Sequence, residues 1–259
     1  MSVVPETRRT RRRARKNSRV SIVGILGELF ITVGVIALLF LGWQVWLGNV
    51  LEGNEQQGQA VALSHEWGKG DIVTPAPPPA ERPDPGEPAV GVAPGNAVQF
   101  ANMIIPRFGA DYQRPVAEGI GFYDVLDKGV GHYPGTEMPG EVGNAAFAAH
   151  RTGDGSAFFD IDKLVVGDSI YVETEAGWYR YVFRGLEYVH PTGVGVLAPV
   201  PQFPGVEPTD RILTLTSCNP IYTANERIIV YALYDTWYPR AAGVVPDEIA
   251  GLVAATAAS

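Results

Sequence analysis

A long apolar run near the N-terminus constrains this chain more than any other feature. It extends from Val20 to about Trp46, and its only charged residue is Glu28. A charge at the centre of a bilayer costs about 2.5 to 3.5 kcal/mol, so we place Glu28 near a membrane interface. The uncharged residues 29–47 span roughly 28 Å as a helix, about the thickness of the hydrocarbon layer. We therefore predict one transmembrane helix over residues 20–47.

Basic residues before the apolar run predict its orientation. Residues 1–19 hold eight Arg and Lys side chains against Glu6 alone. By the positive-inside rule this tail is cytoplasmic and the rest of the chain is extracellular, with Trp43 and Trp46 in the outer aromatic belt. A cleaved signal peptide is the alternative, but its apolar region would be about 7 to 15 residues long and would end at a small-residue site. The exit here reads GWQVWLGNV, so we favour a single-pass membrane anchor.

The net charge of −8 combines two opposite parts. The tail holds eight of the 20 basic and one of the 28 acidic residues. The remainder therefore has 12 basic and 27 acidic residues and a net charge of −15. Such a surface repels phosphate backbones, so no nucleic acid partner is expected. The basic tail is better explained as a topology signal in contact with anionic lipids.

Composition predicts the domain boundaries after the membrane helix. Residues 48–98 are rich in Gly, Pro, Glu and Ala, and include TPAPPPAERPDPGEPAVGVAPG. So little apolar content favours a disordered Pro/Gly-rich stalk. The folded domain is predicted over residues 99–240, enough for a single core. Residues 241–259 are a C-terminal tail with a short helix, for which Pro246 takes a first-turn position.

The domain's apolar runs are short and rich in β-branched and aromatic residues. Tyr179, Tyr181 and Phe183 alternate with polar or smaller residues, so they share one strand face. The sequence EAG that precedes this strand is a hairpin signal. Gly, Pro, Asp or Asn clusters bound each run, which predicts an all-β, mainly antiparallel barrel or sandwich. The runs are FANMIIPRF, NAAFAAH, DSIYVET, GWYRYVFRGLEYV, RILTLTS and RIIVYALYDTW.

The single cysteine, Cys218, lies in the sequence TLTSCNP. Outside the cytoplasm an unpaired thiol is normally either avoided or used, so we interpret Cys218 as a nucleophile. A catalytic thiol needs a base or a cationic neighbour, and acyl transfer needs a group that stabilises an oxyanion. The partners of Cys218 are therefore expected among the histidines and arginines.

Two residues are the best candidates for those partners. His150 ends the apolar run NAAFAAH at a strand edge, where catalytic groups tend to be presented, although an isolated histidine is more often structural. Arg227 opens the strand that returns beside Cys218, and its guanidinium can hold a carbonyl or an oxyanion. His132 begins HYPGT on a Gly-rich loop and can also line a site. The acidic loop around Asp154 matches no EF-hand, so no metal and no cofactor are expected.

The order of these residues resembles the sortases, the membrane-anchored cysteine transpeptidases of Gram-positive bacteria. The resemblance rests on His150, on TLTSC ending at Cys218 and on Arg227, and it covers residues 100–237. The stretch HYPGTEMPGEVGNAAFAAHRTG is most similar to the class E sortases of actinobacteria. Two positions depart from the family pattern without removing a catalytic group: Ser217 replaces Thr before the cysteine, and Ala149 replaces Gly before the histidine.

The resemblance implies an eight-stranded β-barrel with a groove for a C-terminal sorting signal. The signal would be of the Leu-Pro-x-Thr-Gly kind, or Leu-Ala-x-Thr-Gly for class E. Cys218 would attack the Thr carbonyl and form a thioacyl enzyme. His150 would act as general acid and then as general base, and Arg227 would position the substrate backbone and stabilise the oxyanion. Four residues are implied in substrate binding, with Tyr133 also implied in selecting Ala over Pro. They are His132, Tyr133, Thr216 and Ser217.

The implied partners are surface proteins that carry such signals and a peptidoglycan precursor amine of the lipid II type. A pilin-polymerising sortase that uses a lysine acceptor remains open, as does a non-catalytic membrane-anchored β-domain. A cysteine-type L,D-transpeptidase would share the compartment and the nucleophile. It would show a histidine one or two residues before its cysteine, where Thr216 and Ser217 stand.

Overall fold

The computed structural model describes residues 21–43, 47–69, 74–78 and 81–257. The chain divides into two units, Met1–Gln44 and Val45–Ser259. The predicted basic tail and Trp46 lie outside the described residues.

The first unit contains helix α1, Ile22–Gly42, which is the one helix among the described residues that is long and apolar enough to cross a membrane. None of its own residues is buried. A helix that exposes apolar side chains all round fits a lipid environment better than water. Length and composition alone fit a membrane anchor or a signal sequence.

The second unit is built mainly of strands. Its helices are α2 (Gly48–Trp67) and α3 (Ala250–Ala257). Its strands are β1 (Thr74–Pro75), β2 (Gln99–Ile104), β3 (Gln113–Glu118), β4 (Val130–His132), β5 (Gly143–Ala148), β6 (Ser169–Thr174), β7 (Gly177–Val189), β8 (Arg211–Asn219), β9 (Glu226–Pro239) and β10 (Val244–Val245).

Eight of the described strands close into a barrel in the order β2-β3-β4-β5-β8-β9-β7-β6. The pairs β3/β4 and β5/β8 are parallel, and the other neighbours are antiparallel. This confirms the predicted mainly antiparallel barrel. The predicted hairpin is the β6–β7 turn. The pairing of β5 with β8 matters most for function, because it joins two strands that are distant in sequence.

The barrel core follows the strand alternation. Tyr179, Tyr181 and Phe183 point inward together, as predicted, and are almost fully buried. Trp178, on the other face of β7, packs outside the barrel with Ile249 and the C-terminal helix α3. The C-terminal segment therefore forms the predicted helix, and that helix is part of the folded domain.

The prediction of a disordered stalk over residues 48–98 was wrong for the part that the structure describes. Residues 48–67 form α2, and β1 pairs with β10. The Pro-rich segment lies on the barrel, where the carbonyl oxygens of Gly86 and Ala89 accept hydrogen bonds from aromatic side chains. Extended Pro-rich backbone leaves its carbonyls free to accept such bonds. The segment is ordered by the barrel surface and needs no core of its own.

Helix α2 is held mainly by polar contacts. Ser64 donates to the buried carboxylate of Glu173, and Asn102 Nδ2 donates to the carbonyl of Ala60 at 3.0 Å and to Ser64 Oγ at 2.9 Å. Glu173 is paired on its other side with Arg240 at 2.9 Å. Without α2, these buried polar groups would lose their partners, which is costly.

We therefore expect a fragment of residues 70–259, which lacks α2, to be less stable than residues 45–259. A handful of buried hydrogen bonds at about 1 kcal/mol each amounts to roughly 3 to 5 kcal/mol. For a domain of this size, this lowers Tm by about 10 °C. Thermal unfolding followed by circular dichroism measures the difference. Equal Tm values would show that α2 is not part of the stable domain.

Candidate active site

Strand pairing brings the three predicted catalytic residues into one row. On the parallel pair β5/β8, Ala148 lies opposite Thr216. His150 and Cys218 each lie two residues further along the chain, so they are neighbours at the same end of the paired strands. On the antiparallel pair β8/β9, Cys218 lies directly opposite Arg227. Residues opposite each other in such a pair have Cβ atoms about 4.5 to 5.5 Å apart.

The row lies on the outer surface of the barrel. One neighbour of each member is buried in the barrel: Ala149 before His150 and Ile228 after Arg227 belong to the barrel core, and Ser217 before Cys218 is almost fully buried. Because successive strand side chains point to opposite faces, His150, Cys218 and Arg227 point outward. Cys218 is a free, partly exposed thiol. A partly accessible thiol between an imidazole and a guanidinium is in the setting of a reactive cysteine.

His150 is held by two acidic loops and an aromatic ring. Its Nε2 lies 3.3 Å from Asp127 Oδ1 and 4.0 Å from Asp154 Oδ2. The ring of Phe122 meets the imidazole edge-on, with 4.8 Å between centroids. These contacts fix the plane of the imidazole, and its side chain is only 13% exposed.

The donor atoms of Asp127, His150 and Asp154 lie within 4.8 Å of one another, close enough to share a metal ion. A hydrogen bond between the imidazole and Asp127 brings two of these groups together without a metal. The other acidic residues of this loop are paired, since Asp160 contacts Lys163 and Asp162 contacts a buried arginine.

Arg227 is anchored at the start of β9. Its Nη1 donates to the carbonyl oxygens of Ala224 at 3.0 Å and of Glu226 at 2.9 Å. A guanidinium carries five N–H donors in a rigid fork. The bonds at Nη1 hold this fork in place, while Nε and Nη2 carry further donors on the residue that lies opposite Cys218 in the strand pair.

A second row, one residue away from the first, braces the three strand ends. Arg151 is 3% exposed, and its Nη1 donates to Asn219 Oδ1. Asn219 Nδ2 in turn donates to Glu226 Oε2 at 3.0 Å. Sequence reasoning missed this brace. The available signal was that each member is a polar residue directly beside a predicted catalytic residue.

A cleft of about 160 Å³ adjoins the row at Arg227, whereas His150 and Cys218 are not among its lining residues. Tyr133, Thr216 and Arg227 line it on the barrel side, and the loop between β7 and β8 covers it with apolar residues such as Val196. Asn144 holds this loop, because its Nδ2 donates to the carbonyl of Val196 at 3.0 Å. The hydroxyls of Tyr133 and Thr216 are 2.9 Å apart. A cleft that combines apolar side chains with a few fixed polar groups is typical of a ligand site.

Two of the four residues predicted to bind substrate do not reach this cleft. His132 is fully buried, and its ring nitrogens bond Glu118 Oε2 at 2.7 Å and the carbonyl of Glu137 at 3.0 Å. Ser217 points into the barrel, where its hydroxyl donates to the carbonyl of Ala149 at 2.8 Å. Both predictions were wrong because neighbours on a strand face opposite sides. Ser217 instead ties the strand of Cys218 to that of His150.

Comparison with known proteins identifies the family. A model of the Sortase domain matches residues 103–235, which is just over half of the chain. The chain belongs to the sortase family. It is 36% identical over 251 residues to sortase SrtE1 of Streptomyces coelicolor, an alignment that covers 94% of this chain and 66% of SrtE1. The chain thus spans just under two thirds of that relative's length.

Solved sortase structures match the barrel. SrtA sortase from Actinomyces oris is 36% identical, with a TM-score of 0.60 over 64% of this chain and 96% of that chain. Sortase E1 from Streptomyces coelicolor with a tripeptide in the active site is 38% identical, with a TM-score of 0.55 over 59% and 97%. The eight-stranded barrel is therefore the sortase fold, with class E members among its relatives.

Proposed function

We propose that this sortase is a membrane-anchored cysteine transpeptidase with Cys218 as nucleophile. It cleaves a C-terminal sorting signal of the Leu-Ala-x-Thr-Gly or Leu-Pro-x-Thr-Gly kind between Thr and Gly. It then transfers the protein that carries the signal to a cell-wall amine. The observation that carries the proposal is the row of His150, Cys218 and Arg227 across three adjacent strand ends beside a cleft.

In the first half-reaction the Cys218 thiolate attacks the Thr carbonyl carbon. The carbonyl oxygen gains negative charge, which the Arg227 donors stabilise. The C–N bond to Gly then breaks, and His150 gives a proton to the leaving amine. Because His150 Nε2 is engaged with Asp127, Nδ1 is the nitrogen available for this transfer. The products are the thioacyl enzyme and the released C-terminal fragment.

In the second half-reaction an acceptor amine attacks the thioester. His150, now neutral, removes a proton from this amine, and the Cys218 thiolate leaves. The C–S bond is replaced by an amide bond, and both groups return to their starting states. Arg227 stabilises the oxyanion again, because both half-reactions pass through a tetrahedral intermediate at the same carbon.

The cleft supports recognition of the sorting signal. Its apolar cover suits the Leu side chain of the signal, and Thr216 and Arg227, which line the cleft, would offer polar groups to the peptide backbone near the bond to be cleaved. Tyr133 and Thr216 share a hydrogen bond at the same edge. We propose that Tyr133 shapes the pocket that prefers Ala over Pro at the second position.

The proposed location is the cell membrane, with α1 as a single-pass anchor, the N-terminus in the cytoplasm and the barrel outside. The basic residues before α1 support this orientation through the positive-inside rule. The partners would be surface proteins with sorting signals and a lipid II-type peptidoglycan amine. Transfer to a pilin lysine is the alternative acceptor chemistry.

Product analysis tests the proposal. The full chain in detergent micelles is incubated with a Leu-Ala-x-Thr-Gly peptide, and mass spectrometry identifies the cleaved bond. We expect cleavage between Thr and Gly, with faster turnover than for the Leu-Pro-x-Thr-Gly peptide. Adding a glycine amine, a peptidoglycan stem amine or a lysine side chain distinguishes the acceptors. Cleavage at another bond, or of a peptide with Thr and Gly exchanged, would contradict the assignment.

A further inference from the structure

Helix α2 contacts both loops that hold His150, although the proposed mechanism gives it no role. Gln56 makes these contacts, and its side chain is almost fully buried. Its Nε2 donates to the carbonyl oxygen of Asp127 at 3.2 Å and to that of Asp154 at 2.8 Å. A primary amide carries two N–H donors. Gln56 therefore uses one donor on each loop, and so links the two loops to each other and to α2.

A second contact, one turn earlier on α2, reinforces the first. Glu52 Oε2 accepts a hydrogen bond from the backbone N–H of Gly155 at 3.1 Å. A Cβ atom on Gly155 would lie 2.6 Å from Gln56 Nε2, and one on Gly53 would lie 3.6 Å from the Gly155 carbonyl oxygen. The glycine at 155 thus lets the loop approach the helix closely enough for both hydrogen bonds.

The loop of Asp154 needs such support. All of residues 153–156 have positive φ angles, including Asp154 at 48° and Ser156 at 46°. Left-handed conformations are strained for residues other than glycine and persist where the surroundings hold them. Glu52 accepts a hydrogen bond from this loop and Gln56 donates one to it, so α2 holds the loop in the conformation that brings Asp154 to His150.

The loop of Asp127 carries two of the contacts to His150. Residues 119–129 supply both the Asp127 carboxylate, at 3.3 Å from Nε2, and the ring of Phe122 against the imidazole. Gln56 is bonded to the backbone of Asp127 itself. A shift of this loop would therefore change the hydrogen bond and the packing of His150 together.

We propose that α2 is a positioning element of the active site and that Gln56 is its positioning residue. Gln56 joins the Asp127 and Asp154 loops so that His150 presents its proton to the leaving amine. The inference rests on the proposed transpeptidase function. A misplacement of about 1 Å can cost up to about 10²-fold in rate. Loss of the Gln56 link between the two loops that contact His150 is expected to cost about tenfold.

The test compares variants of the full chain in detergent micelles. Gln56→Ala removes the link, and Gln56→Glu keeps its shape without the N–H donors. Gln59→Ala is the matched control, because Gln59 lies on the same helix and accepts from Gln99 Nε2 at 3.0 Å instead. Single-turnover acylation is measured with the Leu-Ala-x-Thr-Gly peptide and with a thioester of Leu-Ala-x-Thr. The thioester expels a thiolate, so it does not require proton donation by His150.

We expect both Gln56 variants to acylate about tenfold more slowly with the amide peptide, with unchanged KM. With the thioester they should match the wild type within about twofold, and Gln59→Ala should match it with both substrates. Equal amide rates for the Gln56 and Gln59 variants would overturn the inference. An equal loss with amide and thioester would also overturn it, because this indicates general destabilisation. A wild type that cleaves neither substrate would refute the transpeptidase function itself, a result visible before any variant is compared.

Discussion

Replacing Cys218 with alanine should abolish both peptide cleavage and transfer. Without a thiolate no thioacyl enzyme forms, and removal of a catalytic nucleophile costs on the order of 10⁴-fold or more in turnover. Cys218→Ser should lose almost as much, because a serine alkoxide is far less accessible than a thiolate at neutral pH. Chromatographic quantification of the cleaved peptide over long incubations measures both losses.

The alanine variant should fold normally, because Cys218 is only partly buried and forms no disulfide. An unchanged Tm with no cleavage assigns the loss to chemistry. Cleavage by Cys218→Ala at even a tenth of the wild-type rate would remove Cys218 from the mechanism, whatever its place between two polar neighbours.

His150→Ala and Arg227→Ala should each lower kcat/KM by roughly 10²-fold or more. In the proposed mechanism His150 supplies a proton in one half-reaction and removes one in the other, and general acid–base catalysis typically contributes at least that factor. Arg227 would stabilise the oxyanion in both half-reactions, an effect of similar magnitude. Initial rates with the Leu-Ala-x-Thr-Gly peptide give both values.

Two further variants sharpen the interpretation of Arg227. Arg227→Lys keeps the charge but loses the donor fork, so it should recover only part of the activity. Arg184→Ala is the matched control, because Arg184 is an exposed arginine on β7. If Arg227→Ala behaves like this control, the guanidinium has no role in catalysis.

The row of His150, Cys218 and Arg227 could be proposed from the sequence because its signal is local and chemical. The signal combines a lone cysteine after a predicted membrane anchor, a histidine at a strand edge and an arginine that opens the next strand, and each is a residue type that acyl transfer by a thiol would use. The parallel pairing of β5 with β8 was not predictable from strand patterns. It joins residues about 70 positions apart, and the residues alone do not specify which strands become neighbours.

Helix α2 escaped prediction because its buried stripe is small and polar. The buried positions are Gly53, Gln56, Ala60 and Ser64, which recur at helical spacing but carry little hydrophobicity. A search for an apolar face therefore finds only a linker. The stabilising partner is a buried polar cluster on the barrel around Glu173, and that cluster becomes visible only when the fold is known.

The four candidate substrate residues do not lie together in the structure, for a similar reason. Tyr133 and Thr216 line the cleft, whereas His132 and Ser217, each next in sequence to one of them, face the interior. When a whole motif is assigned to a site, all of its residues are assumed to reach that site. In a strand, however, successive side chains point to opposite faces, so only every second residue can do so.

The thioacyl enzyme gives the most direct test of the central claim. The full chain is mixed with the Leu-Ala-x-Thr-Gly peptide, quenched in acid within a single turnover, and its intact mass is measured. We predict an added mass equal to the Leu-Ala-x-Thr acyl group, carried by Cys218 after digestion, released by hydroxylamine and absent from Cys218→Ala. Peptide cleavage with no adduct on Cys218, or with the acyl group on another residue, would contradict the account.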